Sequence, residues 1–479
     1  MTSNTNKKAL LFALAIISVV ALAEQLYVTG PGWDLIAHYM NGKSLDTLIF
    51  YSCAVLPQCA LRNGQLTFWY GTYFEPYRAP LSGFIFAVLA LFSGQFAITA
   101  YAALVFAGYL LAVYLLGKQL EIDSLLMYAL MLSPVILYTS LIAGSEEMVS
   151  LIFLLIGLSY LAKRSALFGL FLGLACLGKY PTLILLPMLL LLAKPKKIAY
   201  GSALFFAATV PWLAFNQVLF HNALASYSLS MQIASYNVQA FWISPAALFS
   251  VLLYGIVFGA ITLMLVYPKR RRIMRRVREL TSGFSFSGLY RDDTPYYYAI
   301  LLAFVALSVA AFLLIGPYYD SFTQARYGYL LATSTALVAA MALNGARKYT
   351  KANLRIIVPA VSILLLVLAL LWYLVTSSSP LQLNANSNVF PEAKSVLSLL
   401  GYGNCRIVTN DWVYMLYRNV SAFPQFYYNA TTERYPILAF YNQSAATSVS
   451  SIMGLPEAKV VYASKDFSVL LPENSVCYK

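Results

Sequence analysis

Eleven apolar stretches of near-spanning length dictate what this chain can fold into. They lie near 9–28, 97–117, 125–142, 148–162, 165–178, 181–193, 198–215, 244–266, 297–316, 326–343 and 355–375. A lipid-exposed segment of about 20 apolar residues crosses the hydrocarbon core as a helix, because only a helix satisfies its backbone internally there. Of the 479 residues, 60% are hydrophobic and only 10% charged, a balance foreign to soluble globular proteins of this length. The expected fold is an all-α polytopic membrane protein.

The first stretch follows Lys7 and Lys8 and runs into Glu24-Gln25-Leu26-Tyr27 with no small-residue cleavage site, so we read it as a retained span. A twelfth run, Leu81 to Phe92, is short and interrupted by Gly83, which suits an interfacial or re-entrant helix. With the amino terminus inside and 81–92 left out of the count, the basic groups all fall inside. These are Lys118, Lys163-Arg164, the run from Lys194 to Lys197, the run from Lys269 to Arg272, and Arg347-Lys348. Counting 81–92 as a span would put them outside. The formal net charge of +14 thus reflects topology-setting loops and membrane lipids, with no nucleic-acid partner.

This threading divides the chain into a membrane module, 1–375, and an extracytoplasmic α/β domain, 376–479. All three Asn-x-Ser/Thr sequons, at Asn419, Asn429 and Asn442, lie in that tail. Cys405 and Cys477 bracket it, while Cys53 and Cys59 sit in the first outer loop and Cys176 within a helix. Four outer cysteines allow three pairings, and locality favours 53–59 with 405–477. Pro391 to Leu400 has helical composition. Arg406-Ile-Val-Thr, Lys459-Val-Val-Tyr and Phe467-Ser-Val-Leu-Leu are strand candidates, the last two joined by a Lys465-Asp466 turn.

Polar residues collect on the outer side. The first outer loop holds Asp34, His38 and Tyr39, then Glu75, Tyr77 and Arg78. Later loops hold Glu146 and Glu147, Lys179-Tyr180-Pro181, His221, and Asp320, Gln324 and Arg326. A carboxylate beside a span is costly unless it has a role. Transfer of a sugar from a lipid phosphate needs such groups: a carboxylate to take the acceptor hydroxyl's proton, and cations for the departing phosphate. Arg78 and Lys179 are best placed for the second task, with Arg326 as a further contact.

At these residues the sequence resembles the GT-C superfamily of integral-membrane glycosyltransferases, nearest to its protein O-mannosyltransferase and aminoarabinose-transferase branch. Trp33-Asp34, Pro80-Leu81, Leu132-Ser133-Pro134 leading to Glu146-Glu147, Gly178-Lys179-Tyr180-Pro181 and Pro211-Trp212 carry the likeness. The resemblance implies Asp34 as catalytic base and Lys179 near the carrier phosphate. It implies a donor sugar on a polyprenyl phosphate of dolichyl type and an acceptor glycan, lipid or protein. Where the O-mannosyltransferases carry an Asp-Glu pair, this chain has Asp34-Leu35. Glu146 and Glu147 stand where the family usually has Asp.

Each residue also has a plainer reading. Glu146-Glu147 suit the positive end of a helix dipole, Lys179 and Arg78 can reach the interface as anchors, and Tyr77 and Tyr180 fit an interfacial belt. His38 and His221, the only histidines, suit interfacial hydrogen bonding; a divalent metal held with Asp34 or Glu75 is the sharper reading. The rival classes are a lipid or solute transporter, or flippase, and a non-catalytic relative of the same superfamily.

Overall fold

The computed structural model describes residues 2–23, 35–42, 78–89, 94–137, 146–236, 245–267, 293–314, 328–347, 353–377, 388–405, 407–418, 420, 422–424, 435–440 and 459–471. Each apolar stretch carries helical structure. The membrane module runs through α1 (Thr2–Ala23), α2 (residues 35–42), α3 (Pro80–Leu89), α4 (Gly94–Gln119), α5 (Ser124–Met131), α6 (Glu146–Ala162) and α7 (Leu167–Gly178). After a 3-10 helix, Tyr180–Leu192, come α8 (Pro195–Phe220), α9 (Ala225–Tyr236), α10 (Pro245–Val266), α11 (Asp293–Leu314), α12 (Tyr329–Ala346) and α13 (Leu354–Ser377). Among the described residues, five helical segments are long and apolar enough to cross a bilayer alone: Phe96–Gln119, Pro195–Val218, Pro295–Leu314, Tyr329–Ala346 and Leu354–Leu371. The run 81–92 forms the short, separate helix α3, as its length predicts.

Two stretches depart from a plain α-helix. The run 125–142 breaks after α5: Ser133 and Pro134 stop the α ladder, and one π turn follows over 135–137. The run 181–193 is 3-10 as far as Leu192. Pro181 opens it and Pro187, lacking an N–H, lies inside it. Its 13 residues at about 2.0 Å each reach about 26 Å, matching the 17 residues of α6 at about 1.5 Å.

One end of the module is basic and tied by polar contacts. Asp123 caps α5 by accepting from Leu125 N and pairs with Arg355 at 2.9 Å and Arg347 at 3.8 Å. Lys197 donates to the Arg164 carbonyl, and the Arg164 guanidinium lies 4.5 Å from the Tyr296 ring centroid. The Tyr296 hydroxyl donates to the carbonyls of Leu161 and Leu191, closing the ends of α6 and the 3-10 helix together.

The carboxy-terminal domain holds α14 (Val389–Leu399), β1 (Ile407–Thr409), α15 (Trp412–Tyr417), β2 (Ala422–Pro424), β3 (Ile437–Phe440), β4 (Lys459–Ala463) and β5 (Phe467–Leu471). The sheet order is β2-β1-β3-β5-β4. β1 runs parallel to β2 and β3, and the β3–β5 and β5–β4 pairs are antiparallel. Side chains alternate between its faces: Ile407, Leu438, Phe440, Phe467 and Val469 pack toward α14, while Val408, Ile437, Ala439 and Leu470 form the opposite core. The expected turn is present, with Ser464 Oγ accepting from the amides of Asp466 and Phe467. Cys405 is disulfide-bonded, its partner lying outside the described residues.

The two parts meet on α2. Leu35 and Tyr39 are buried in the membrane-module core, whereas Ile36 and Ala37 are buried in one cluster with Phe390, Trp412, Phe440 and Phe467 of the domain. Gly42, one heptad after Leu35, sits against the α3 backbone: a Cβ there would lie 2.8 Å from Ala87 N.

Candidate functional site

The end opposite the basic loops gathers the charged side chains that the sequence singles out. Glu146 and Glu147 are the first two residues of α6, where the exposed amides of the first turn favour negative charge. Lys179 follows the last residue of α7, where the carbonyls favour positive charge, and its extended backbone (φ −158°, ψ 118°) breaks α7 from the 3-10 helix. Close approach of these two helix ends depends on Gly178. A Cβ there would meet Ser150 Cα and N at 2.7 Å.

The Lys179 ammonium consequently bridges both acids, donating to Glu146 Oε1 and lying 2.9 Å from Glu147 Oε1. His38 Nε2 lies 3.5 Å from Glu146 Oε2. Arg78 adds a longer-range attraction to the same carboxylate. Far from standing in open water at the membrane edge, the group is enclosed: relative exposures are 0% for His38, 8% for Glu146, 1% for Glu147 and 6% for Lys179. Enclosure strengthens each attraction and penalises any member left alone.

A floor of hydroxyls lies beneath. Ser150, one turn below Glu146 on α6, is 2.7 Å from Thr182 Oγ1, which is 2.8 Å from the Tyr329 hydroxyl at the start of α12. On another side the Tyr101 hydroxyl donates to Ser82 Oγ at 3.0 Å. All five residues are buried. Sequence reasoning missed them because isolated hydroxyls inside apolar helices carry no pattern. The available signal was spacing, since Ser150 and Thr182 follow Glu147 and Lys179 by three residues each.

Tyr180 joins the two candidate phosphate cations. Its hydroxyl accepts from Trp212 Nε1 at 3.2 Å and lies 3.4 Å from the Arg78 carbonyl, which it can donate to. Phe84 and Tyr227 pack edge-on against Trp212 and Tyr180. His221 lies elsewhere: it is exposed and ends α8 in a left-handed conformation (φ 53°). Among the described residues no three His, Cys, Asp or Glu side chains converge as a metal site. Asp34, Glu75, Tyr77, Asp320, Gln324 and Arg326 lie outside the described residues, as do the sequons, Cys53, Cys59, Cys477 and the run Lys269 to Arg272.

No protein-family model matches the chain, and no match is found among the curated proteins compared with it.

Proposed function

We propose that this chain is a GT-C-type glycosyltransferase with eleven spans, its amino terminus and basic loops cytoplasmic and its carboxy-terminal domain outside. It moves one sugar, with inversion, from a polyprenyl-phosphate donor to an acceptor hydroxyl. The observation that carries this reading is the enclosed Glu146–Glu147–Lys179–His38 cluster, set at helix ends opposite the basic loops. The disulfide at Cys405 supports the sidedness, because such bonds persist in oxidising compartments. A transporter's coupling groups belong near mid-membrane on broken helices, whereas here the acids open α6 and the lysine closes α7.

In this reaction the acceptor oxygen attacks the anomeric carbon from the face opposite the phosphate. Asp34 takes the hydroxyl proton while the bond from the anomeric carbon to the phosphate oxygen breaks, its electron pair leaving with polyprenyl phosphate. The carrier's phosphodiester bears one negative charge and the departing monoester gains a second, so cations help most as that bond breaks. Lys179, already shared between two glutamates, exchanges one of them for the phosphate; Arg78 and Arg326 supply further positive charge.

The test is transfer in nanodiscs with a synthetic polyprenyl-phosphate sugar. Asp34→Asn is expected to slow transfer by about 10²–10⁴ while the protein stays folded and binds donor. Lys179→Ala is expected to weaken donor dependence by roughly ten- to a hundredfold, the worth of a charge-assisted contact. A near wild-type rate for the Asn variant would remove Asp34 from the reaction and move the role of base to Glu146 or Glu147, with Glu75 behind them.

A further inference from the structure

Residues 35–42 form one helix with three occupied faces. Leu35, Tyr39 and Gly42, spaced i, i+4 and i+7, face the membrane module, where Tyr39 meets Phe86 edge-on at 5.8 Å and Phe86 stacks on Tyr101 at 4.1 Å. Ile36 and Ala37, each 0% exposed, belong to the core of the carboxy-terminal domain. Met40 packs against both clusters. Between these faces His38 is held at 0% exposure with Nε2 toward Glu146.

So short a helix, under three turns, does not hold itself in water, and its placement comes from what it packs against. One part of its apolar surface is buried by the membrane module and another by a domain encoded at the far end of the chain. The domain is thus more than an appendage on the outer face.

We propose that the carboxy-terminal domain is a working part of the site: by burying Ile36 and Ala37 it fixes α2 and so positions His38 against Glu146. Ile36 and Ala37 are positioning residues. Their side chains are buried in the domain's cluster and act through the helix that carries His38. The partner of this surface is the chain itself, since Ile36 and Ala37 share one buried cluster with Phe390, Trp412, Phe440 and Phe467. From the proposed function the inference takes only that His38 belongs to the reacting centre.

The chain's two histidines make the test direct. Histidine-selective isotope labelling of the full-length protein in nanodiscs gives one imidazole signal for buried His38 and one for exposed His221. A water-soluble paramagnetic chelate should broaden His221 and spare His38 in the wild type. In Ala37→Glu, which puts a charge into the domain's core from the helix side, His38 broadening is expected to rise to the order of that at His221. Phe390→Ala, which loosens the same cluster from the domain side, is expected to act likewise. The His221 signal should stay unchanged in both. His38 remaining as protected as in the wild type in both variants would overturn the proposal, because the membrane module alone would then hold α2. The measurement needs no turnover, so a chain that transfers no sugar still shows whether the domain holds α2.

Discussion

The membrane module and the carboxy-terminal domain solve opposite solvation problems. In the module large apolar side chains face outward as well as into the core, with Val218 at 75%, Leu302 at 71% and Leu314 at 67% exposure, while Glu147, Lys179 and His38 are enclosed. In the domain Phe390, Phe440 and Phe467 are buried, and Glu392, Lys394 and Lys459 lie in the open. A hydrocarbon solvent rewards hiding polar groups among themselves, whereas water rewards hiding apolar ones. Helix α2 obeys both rules, enclosing His38 beside Glu146 and burying Ile36 and Ala37 in the domain's core. The polar cluster lies beside that junction, where charge can be enclosed yet remain close to water.

The largest expected contrast is between two glutamates. Glu147→Ala removes one of the two carboxylates that hold the enclosed Lys179, leaving Glu146, and should cost about 3 kcal/mol, the upper end for a hydrogen bond to a charged group, read as loss of folded protein on heating in nanodiscs. Glu392→Ala on the open face of α14 should stay within about 0.5 kcal/mol. Equal effects would mean that the cluster is hydrated and the contrast false.

Next is the outward face. Leu302→Lys should impair membrane insertion by about 2.5–3.5 kcal/mol, measured in a translocon insertion assay. Leu399→Lys, at a domain position with 83% exposure, should leave stability within about 0.5 kcal/mol. If Leu302→Lys inserts as well as wild type, that face of α11 is turned away from lipid.

Asp411 is the domain's exception, a carboxyl whose burial pushes its pKa up to about 7. Below about pH 4 the folded and unfolded chains both keep its proton, and its full contribution to stability is present. Between about pH 4 and 7 only the unfolded chain loses the proton, so stability falls as pH rises and levels off above. The one-proton relation limits the loss to about 4 kcal/mol, and residual access of water brings the expected value nearer about 2 kcal/mol. Hydrogen exchange of the Val408 and Leu438 amides, corrected for its intrinsic pH dependence, measures it. Asp411→Asn should flatten the slope.

The smallest expected effect concerns the hydroxyl floor. Thr182→Val keeps the shape of the side chain and removes the hydrogen bonds to Ser150 and Tyr329, at a cost of about 1 kcal/mol. A much larger loss would make the floor part of the charged cluster instead of its lining.

What could be read in advance follows the same division. Long apolar runs announce helices in a bilayer, so α4, α8, α11, α12 and α13 fall where the sequence puts them. In the domain α14, β1, β4 and β5 were legible from composition and turn chemistry. β3 was not, because Ile437-Leu-Ala-Phe is an unbroken apolar run of four without alternation, and β2 is three residues ending in Pro424. The 3-10 form of Tyr180–Leu192 depends on hydrogen-bond register, which two prolines hint at without specifying. Of the site, Glu146, Glu147, Lys179, Arg78 and His38 stood out as charges in an apolar chain. That Lys179 is held between both glutamates could not be foreseen, because the contact depends on how closely Gly178 lets two helix ends approach.

The scattered origin of that cluster has a consequence for biosynthesis. Glu146 and Lys179 are 33 residues apart, so at about 5–20 residues per second the acids emerge roughly 2–7 s before the lysine that neutralises them. During that interval α6 carries two uncompensated carboxylates, which favours entry of α6 and α7 into the bilayer as one hairpin. His38 has by then long been made. The helix that carries it acquires its outer packing only when the carboxy-terminal domain folds. A helix made before the site's acids is thus completed after them.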